Sequence, residues 1–151
     1  MKRTILMIED NEQNAYLATF LLEKHGYEVV SVKDGPSGLA VVKTMVPDYI
    51  LLDIQLPGMD GYAVARELRK EASLRETPII AVTSYAMEGD RQKSLDAGCT
   101  GYIEKPINPE TFVKEVETYG SVISEFQPLT DSDSDTQKTD SPDLPDPNPT
   151  L

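Results

Sequence analysis

Tyr49-Ile50-Leu51-Leu52-Asp53-Ile54-Gln55-Leu56-Pro57-Gly58 is the stretch that decides how the rest of the chain is read. An apolar run ends on a carboxylate and passes into Pro and Gly, the pattern of a buried strand emerging into a loop. Ligands of open α/β sheets gather at such carboxyl ends of strands. Asp53 sits at the mouth of such a strand, and what it does there is decided by the residues at the other strand ends.

The same pattern recurs on both sides. Thr4-Ile5-Leu6-Met7-Ile8 is a short apolar run that stops at Glu9-Asp10-Asn11, a strand followed by a turn. Asn11 can cap a helix in which Ala15, Ala18, Leu21 and Leu22 recur at helical spacing, and His25-Gly26 ends it. His25, the only histidine, reads as a helix-end residue because no nucleophile or metal-ligand cluster lies near it in sequence. A second strand runs from Tyr27 to Val32, and Pro36 opens a helix whose stripe is Leu39, Val42 and Val46, closed by Pro47. Beyond Asp53, Gly61 to Ala72 reads as a helix burying Tyr62, Ala65 and Leu68. Pro78 to Val82 is a fourth strand, ending at Thr83-Ser84. A loop from Tyr85 to Gly89 leads into a fourth helix that Gly98 terminates, and Gly101-Tyr102-Ile103-Glu104 is the fifth strand. Asn108-Pro109-Glu110 starts a last helix with Phe112, Val113, Val116 and Ile123 on one side. Five strand-helix repeats predict an α/β domain: a parallel sheet covered on both faces, with right-handed crossovers.

Composition bounds the function. The chain of 151 residues is expected to form one domain over residues 1–126 and an acidic tail over 127–151. The tail is rich in Asp, Ser, Thr and Pro and carries a net −5 of the formal −12; with so little apolar surface to bury, it is expected to be disordered. Ser141-Pro142 as a phosphorylation site and the tail as an intramolecular acidic lid are both open readings, and neither has a specific signal. Acidity on both parts argues against sequence-independent nucleic-acid binding, which needs clustered Lys and Arg. No apolar run is long enough to span a membrane, and Met1-Lys2-Arg3 leads into a strand instead of a signal peptide, so a cytoplasmic location is expected. Cys99, the only cysteine, excludes an internal disulfide and reads as a packing residue.

If the strand order is 2-1-3-4-5, strands one and three are neighbours and Glu9, Asp10 and Asp53 share one crevice. Three carboxylates there repel unless a cation neutralises them, and a hard divalent ion is the economical answer. Magnesium, with manganese as a substitute, suits a few carboxylates plus a carbonyl such as that of Gln55; calcium would want more protein ligands. The ends of strands four and five add Thr83 and Lys105. A hydroxyl and an ammonium beside a metal-bound carboxylate are what a transferred phosphoryl group requires, which makes Asp53 a candidate nucleophile.

Ile8-Glu9-Asp10-Asn11, Leu52-Asp53-Ile54-Gln55-Leu56-Pro57-Gly58-Met59-Asp60-Gly61, Val82-Thr83-Ser84-Tyr85-Ala86 and Gly101-Tyr102-Ile103-Glu104-Lys105-Pro106 resemble, in order and spacing, the signature segments of receiver domains of two-component response regulators. The resemblance runs from about Lys2 to Phe126, and its narrower flavour is the stand-alone DivK type. It implies a flavodoxin-like receiver fold: a five-stranded parallel sheet of order 2-1-3-4-5 flanked by five helices. It also implies Asp53 as phosphoacceptor, Glu9 and Asp10 as the acidic metal pair, and Gln55 as donor of a main-chain carbonyl to the metal. Thr83 would be the switch hydroxyl, Tyr102 the switch aromatic and Lys105 the phosphate-pairing lysine, with the Lys105–Pro106 peptide cis. The implied partners are a histidine kinase or histidine phosphotransfer protein upstream and a protein target downstream, and the chain would be a signalling phosphoacceptor, not an enzyme.

Three other readings remain. A haloacid-dehalogenase-type phosphatase also uses a strand-end Asp with magnesium, but it usually needs a second acid two residues on, where this chain has Gln55. A flavodoxin-like nucleotide or flavin binder should present hydroxyls and glycines to phosphate, and Glu9-Asp10-Asn11 presents negative charge. A degenerate receiver would lack some of Glu9, Asp10, Asp53, Thr83 and Lys105, all of which are present.

Overall fold

The computed structural model describes residues 2–56, 58, 60–84 and 88–126, the side chains of residues 88 and 121–126 excepted. Met1–Gly120 form one compact unit and Ser121–Leu151 a second, of which residues 121–126 are described and helical. The tail expectations for 127–151 and the placement of the Ile123 side chain lie outside the described residues.

The chain alternates strand and helix: β1 Thr4–Ile8, α1 Glu12–Lys24, β2 Glu28–Val32, α2 Gly35–Val41, β3 Tyr49–Asp53, α3 Gly61–Arg69, β4 Ile79–Thr83, α4 Glu88–Asp96, β5 Gly101–Glu104 and α5 Phe112–Phe126. All strand pairs are parallel and the sheet order is β2-β1-β3-β4-β5, as expected. Alternate strand residues face opposite sides of the sheet, so one sheet supplies two cores. Leu6, Ile8, Ile50, Leu52, Ile79 and Ala81 pack with Val64, Ala65 and Leu68 of α3 and with Val42. Ile5, Met7, Tyr49, Leu51 and Ile80 pack with Ala18 and Leu22 of α1 and with Phe112, Val113 and Val116 of α5. β3 and β4 are buried throughout, which is why their sequences read as continuous apolar runs.

Helices α2, α3 and α5 differ from the sequence reading, and α4 begins at Glu88, inside the expected loop from Tyr85 to Gly89. α2 stops at Val41, with Val42 as its C-cap, so Val46 lies past the helix and is exposed, not part of a stripe. The chain must return at once to the sheet, where Asp48 N–H donates to Thr4 O (2.7 Å) and the Asp48 carboxylate accepts from Thr4 N–H. α3 ends at Arg69 instead of Ala72, and Ala72–Leu74 form a separate 3-10 turn that inserts the fully buried Leu74 into the core. Arg69 holds this corner: its guanidinium donates to Gly98 O (2.7 Å), Leu74 O (2.7 Å) and Thr100 Oγ1 (3.2 Å). Within α3 Ala65 and Leu68 are buried as expected, together with Val64, while Tyr62 is half-buried. Regular α5 begins at Phe112, one turn later than Pro109, because Asn108 first closes a tight turn. Its Oδ1 accepts from Glu110 N–H (2.9 Å) and its carbonyl from Phe112 N–H (2.9 Å). At α1 the expectation and the structure agree: Asn11 Oδ1 caps Asn14 N–H (2.9 Å), and Gly26, past the C-cap His25, takes φ 93°.

Cys99 is buried in the α3-side core, and burial pushes its thiol up to about 11 against the opposing pull of Arg69. Its thiolate is therefore scarce at neutral pH. In a thiol-reagent assay at pH 8 the folded chain should react at least ~100-fold more slowly than the chain in denaturant; equal rates would show that Cys99 is accessible.

Candidate functional site

The strand order brings the carboxyl ends of β1 and β3 side by side, with Ile8 registered against Leu52, so the residues that follow share one crevice. Glu9, Asp10 and Asp53 each offer a carboxylate oxygen within 4.8 Å of the others. Glu9 and Asp53 are buried and Asp10 is exposed at the rim. Backbone amides fix the buried pair: Asn11 N–H donates to Glu9 Oε2 (3.1 Å) and Gln55 N–H to Asp53 Oδ1 (2.9 Å). Lys105 completes the cluster, its Nζ 3.2 Å from Glu9 Oε1 and 3.3 Å from Asp53 Oδ2. Burial raises the Glu9 carboxyl above the ordinary glutamate value and the Asp53 charge adds to that, while the Asn11 amide and the Lys105 ammonium oppose it.

The loops after β4 and β5 form the rest of the rim. Asp53 is registered with Val82, so Thr83 lies one residue beyond it on the neighbouring strand, buried at 3 % exposure. Lys105 N–H donates to Thr83 O (2.8 Å), which carries the β4–β5 pairing to the site, and the Lys105–Pro106 peptide is cis. Tyr102 is registered with Ala81, two positions before Thr83 meets Glu104, and its half-buried ring packs against the α3-side core. The residues named from sequence thus fall into two groups: Glu9, Asp10, Asp53, Gln55, Thr83 and Lys105 line one strand-end rim, and Tyr102 sits on β5 before it.

Several features have no sequence signal. The Gln55 side chain ties two loops together, its Oε1 accepting from Ser84 N–H (3.2 Å). Arg91 of α4 donates from Nη2 to the Tyr102 hydroxyl (2.8 Å), with its guanidinium carbon 5.0 Å from the ring centroid. Gly61 sits directly on the loop that follows Asp53: a Cβ there would lie 2.5 Å from Ile54 Cα and 2.7 Å from Ile54 O. Because the obstruction is backbone, Gly61→Ala should destabilise the fold by about 1 to 3 kcal/mol in urea unfolding. An unchanged midpoint would show that this approach is not tight.

Hard oxygen donors, two of them buried and all three mutually close, fit a divalent cation of the magnesium kind, which is bound through carboxylates and carbonyl oxygens. A ligand set this compact also leaves unbalanced negative charge that Lys105 alone does not neutralise.

A five-stranded parallel 2-1-3-4-5 sheet with an acidic cluster and a lysine at its strand ends defines a class, and sequence comparison agrees. Residues 5–117 match the response regulator receiver domain, and the chain belongs to that family. The polar-differentiation response regulator DivK of Brucella ovis is 39 % identical over 119 residues, covering 79 % of this chain and 97 % of that protein. Among solved structures, the chemotaxis response regulator CheY4 of Vibrio cholerae superposes with a TM-score of 0.76 at 28 % identity, over 79 % of this chain and 99 % of that one. The receiver domain of the sensor histidine kinase PA1611 of Pseudomonas aeruginosa PAO1, with a magnesium ion coordinated in its active-site cleft, does so with a TM-score of 0.73 at 34 % identity, over 80 % and 99 %. The chain is therefore a response regulator receiver domain similar to DivK, a signalling protein and not a classical enzyme. Receiver domains take phosphoryl groups from histidine kinases. Among the described residues no helix is long and apolar enough to cross a membrane.

Proposed function

We propose that Asp53 accepts a phosphoryl group from a phosphohistidine on a kinase or phosphotransfer protein, and that residues 1–126 act as a cytoplasmic receiver of the DivK kind. The observation that carries this reading is the buried Asp53 carboxylate with the Lys105 ammonium at 3.3 Å and two further acids beside it. One Asp53 oxygen attacks phosphorus as the P–N bond breaks, and the leaving imidazole takes up a proton. Glu9, Asp10, Asp53 and the main-chain carbonyl of Gln55 would hold magnesium, or manganese in its place, which would supply positive charge to offset that of the carboxylates and the transferred group. Lys105 neutralises a phosphoryl oxygen and the Thr83 hydroxyl donates to another. Attack of water on the same phosphorus later returns the carboxylate and releases inorganic phosphate, so transfer and dephosphorylation are both self-catalysed. Gln55, two residues past the nucleophile, has no acidic proton to give a leaving group, which disfavours a phosphatase of the haloacid-dehalogenase type.

Thr83 drawn toward the phosphoryl group leaves space for Tyr102 to follow, and this changes the surface of α4, β5 and α5 offered to a downstream protein. Charge-assisted hydrogen bonds contribute about 1.5 to 3 kcal/mol each, whereas inverting a 1:99 equilibrium needs about 5.5 kcal/mol. Phosphoryl contacts to Thr83 and Lys105 barely reach that figure, so the phosphoryl group alone should switch the chain only in part, and the bound target should complete the change. A phosphate analogue that fixes Tyr102 in one conformer without a partner would contradict this. The function itself is tested by supplying magnesium and a small phosphodonor: one phosphoryl group per chain is expected, with no multiple turnover of added phosphomonoesters. Sustained turnover would favour the phosphatase.

A further inference from the structure

Tyr102 is anchored twice, by its main chain and by its side chain. The Tyr119 hydroxyl of α5 donates to Tyr102 O (3.0 Å), which fixes the strand. The ring is held separately, by the Arg91 guanidinium that donates to its hydroxyl at 2.8 Å and stands 5.0 Å from its centroid. Arg91 belongs to α4, whose sequence Glu88-Gly89-Asp90-Arg91-Gln92-Lys93-Ser94-Leu95-Asp96 has almost no apolar face. Among its described side chains only Ser94 is buried, and Leu95, its one leucine, is 44 % exposed. A helix with so little buried apolar surface is free to shift, and the contact from Arg91 to Tyr102 ties it to β5.

We propose that Arg91 is a positioning residue that latches the Tyr102 ring against α4, so that the ring turns toward Thr83 only when the Arg91–Tyr102 hydrogen bond and cation–π contact are given up. This rests on the phosphoacceptor reading above. The main-chain anchor at Tyr119 stays in place during the change, so it is confined to the Tyr102 side chain and to α4. Guanidinium suits the task because one planar group donates to the hydroxyl and lies near the ring. The latch opposes switching in the unphosphorylated chain and weakens once α4 moves, which sharpens the response to phosphoryl transfer.

The test uses the full chain labelled with 3-fluorotyrosine, the Tyr102 resonance being assigned by its loss in Tyr102→Phe. Spectra are recorded for wild type, Arg91→Ala and Arg91→Lys, with and without magnesium and beryllofluoride. In the wild type the Tyr102 resonance should move on addition of beryllofluoride. In Arg91→Ala without beryllofluoride it should already lie part of the way to that position, with the turned-in population raised roughly five- to tenfold. Arg91→Lys, which keeps a cation and a donor, should fall between the two. A wild-type response together with an Arg91→Ala resonance at the unliganded wild-type position overturns the latch and leaves the phosphoacceptor reading standing. A wild-type chain whose Tyr102 and site resonances ignore beryllofluoride overturns that reading, and the latch with it.

Discussion

Asp53→Asn is expected to lower phosphoryl uptake from a small phosphodonor by ~10³-fold or more, leaving no adduct visible by intact mass. The loss comes from chemistry and not from folding. The introduced carboxamide retains an oxygen to accept from Gln55 N–H, and Glu9 keeps Lys105 as its partner at 3.2 Å. Removing one of two neighbouring buried carboxylates also removes a repulsion, so stability should change by no more than about 1 kcal/mol. Magnesium affinity should fall, because one of three close carboxylates is gone. A variant that folds normally and still takes up phosphate at the wild-type rate would move the acceptor elsewhere.

Lys105→Ala should produce the second largest effect, and with a different signature. Its ammonium lies beside both Glu9 and Asp53, and the side chain is only 14 % exposed. Without it two buried carboxylates face each other with no cation, a loss we expect to cost about 2 kcal/mol in urea unfolding without metal, less than the full penalty of a broken buried pair because some solvent reaches the site. Magnesium no longer competes with an ammonium for the same oxygens, so its affinity should rise several-fold and added magnesium should recover the lost stability. Phosphotransfer should not recover: the cation facing the transferred group is missing, and the rate should stay down by ~10² to 10³-fold at saturating magnesium. Recovery of stability and rate together would mean that Lys105 serves only to balance charge.

The legible part of this protein was the part written in period and punctuation. β1, β3 and β4 announced themselves as apolar runs because they are buried on both faces. Glu9, Asp53 and Thr83 were findable because each sits where such a run stops, and strand order alone brings those stops together. Topology was not in the runs themselves; resemblance to the receiver family supplied it, and the observed register agrees. Helix lengths were less legible. The stripe Leu39, Val42, Val46 fits helical spacing, yet the helix ends at Val41, because a short crossover must bring the chain back to β3 within a few residues. The 3-10 turn holding Leu74 depends on Arg69 reaching Gly98 and Thr100, partners about thirty positions away that no local pattern connects to it. The same holds for Gln55 with Ser84 and for Arg91 with Tyr102. Long polar side chains find partners across loops and between elements, and spacing within a segment carries no trace of that.

The most direct test locates the phosphoryl group chemically. The chain is treated with magnesium and a small phosphodonor and then reduced with borohydride, which converts an acyl phosphate to an alcohol. The product is digested and sequenced by mass spectrometry. Homoserine is expected in place of Asp53 in the peptide containing Tyr49-Ile50-Leu51-Leu52-Asp53, and none when magnesium is chelated. Reduction at another acidic residue, or none anywhere with magnesium present, would contradict Asp53 as the acceptor.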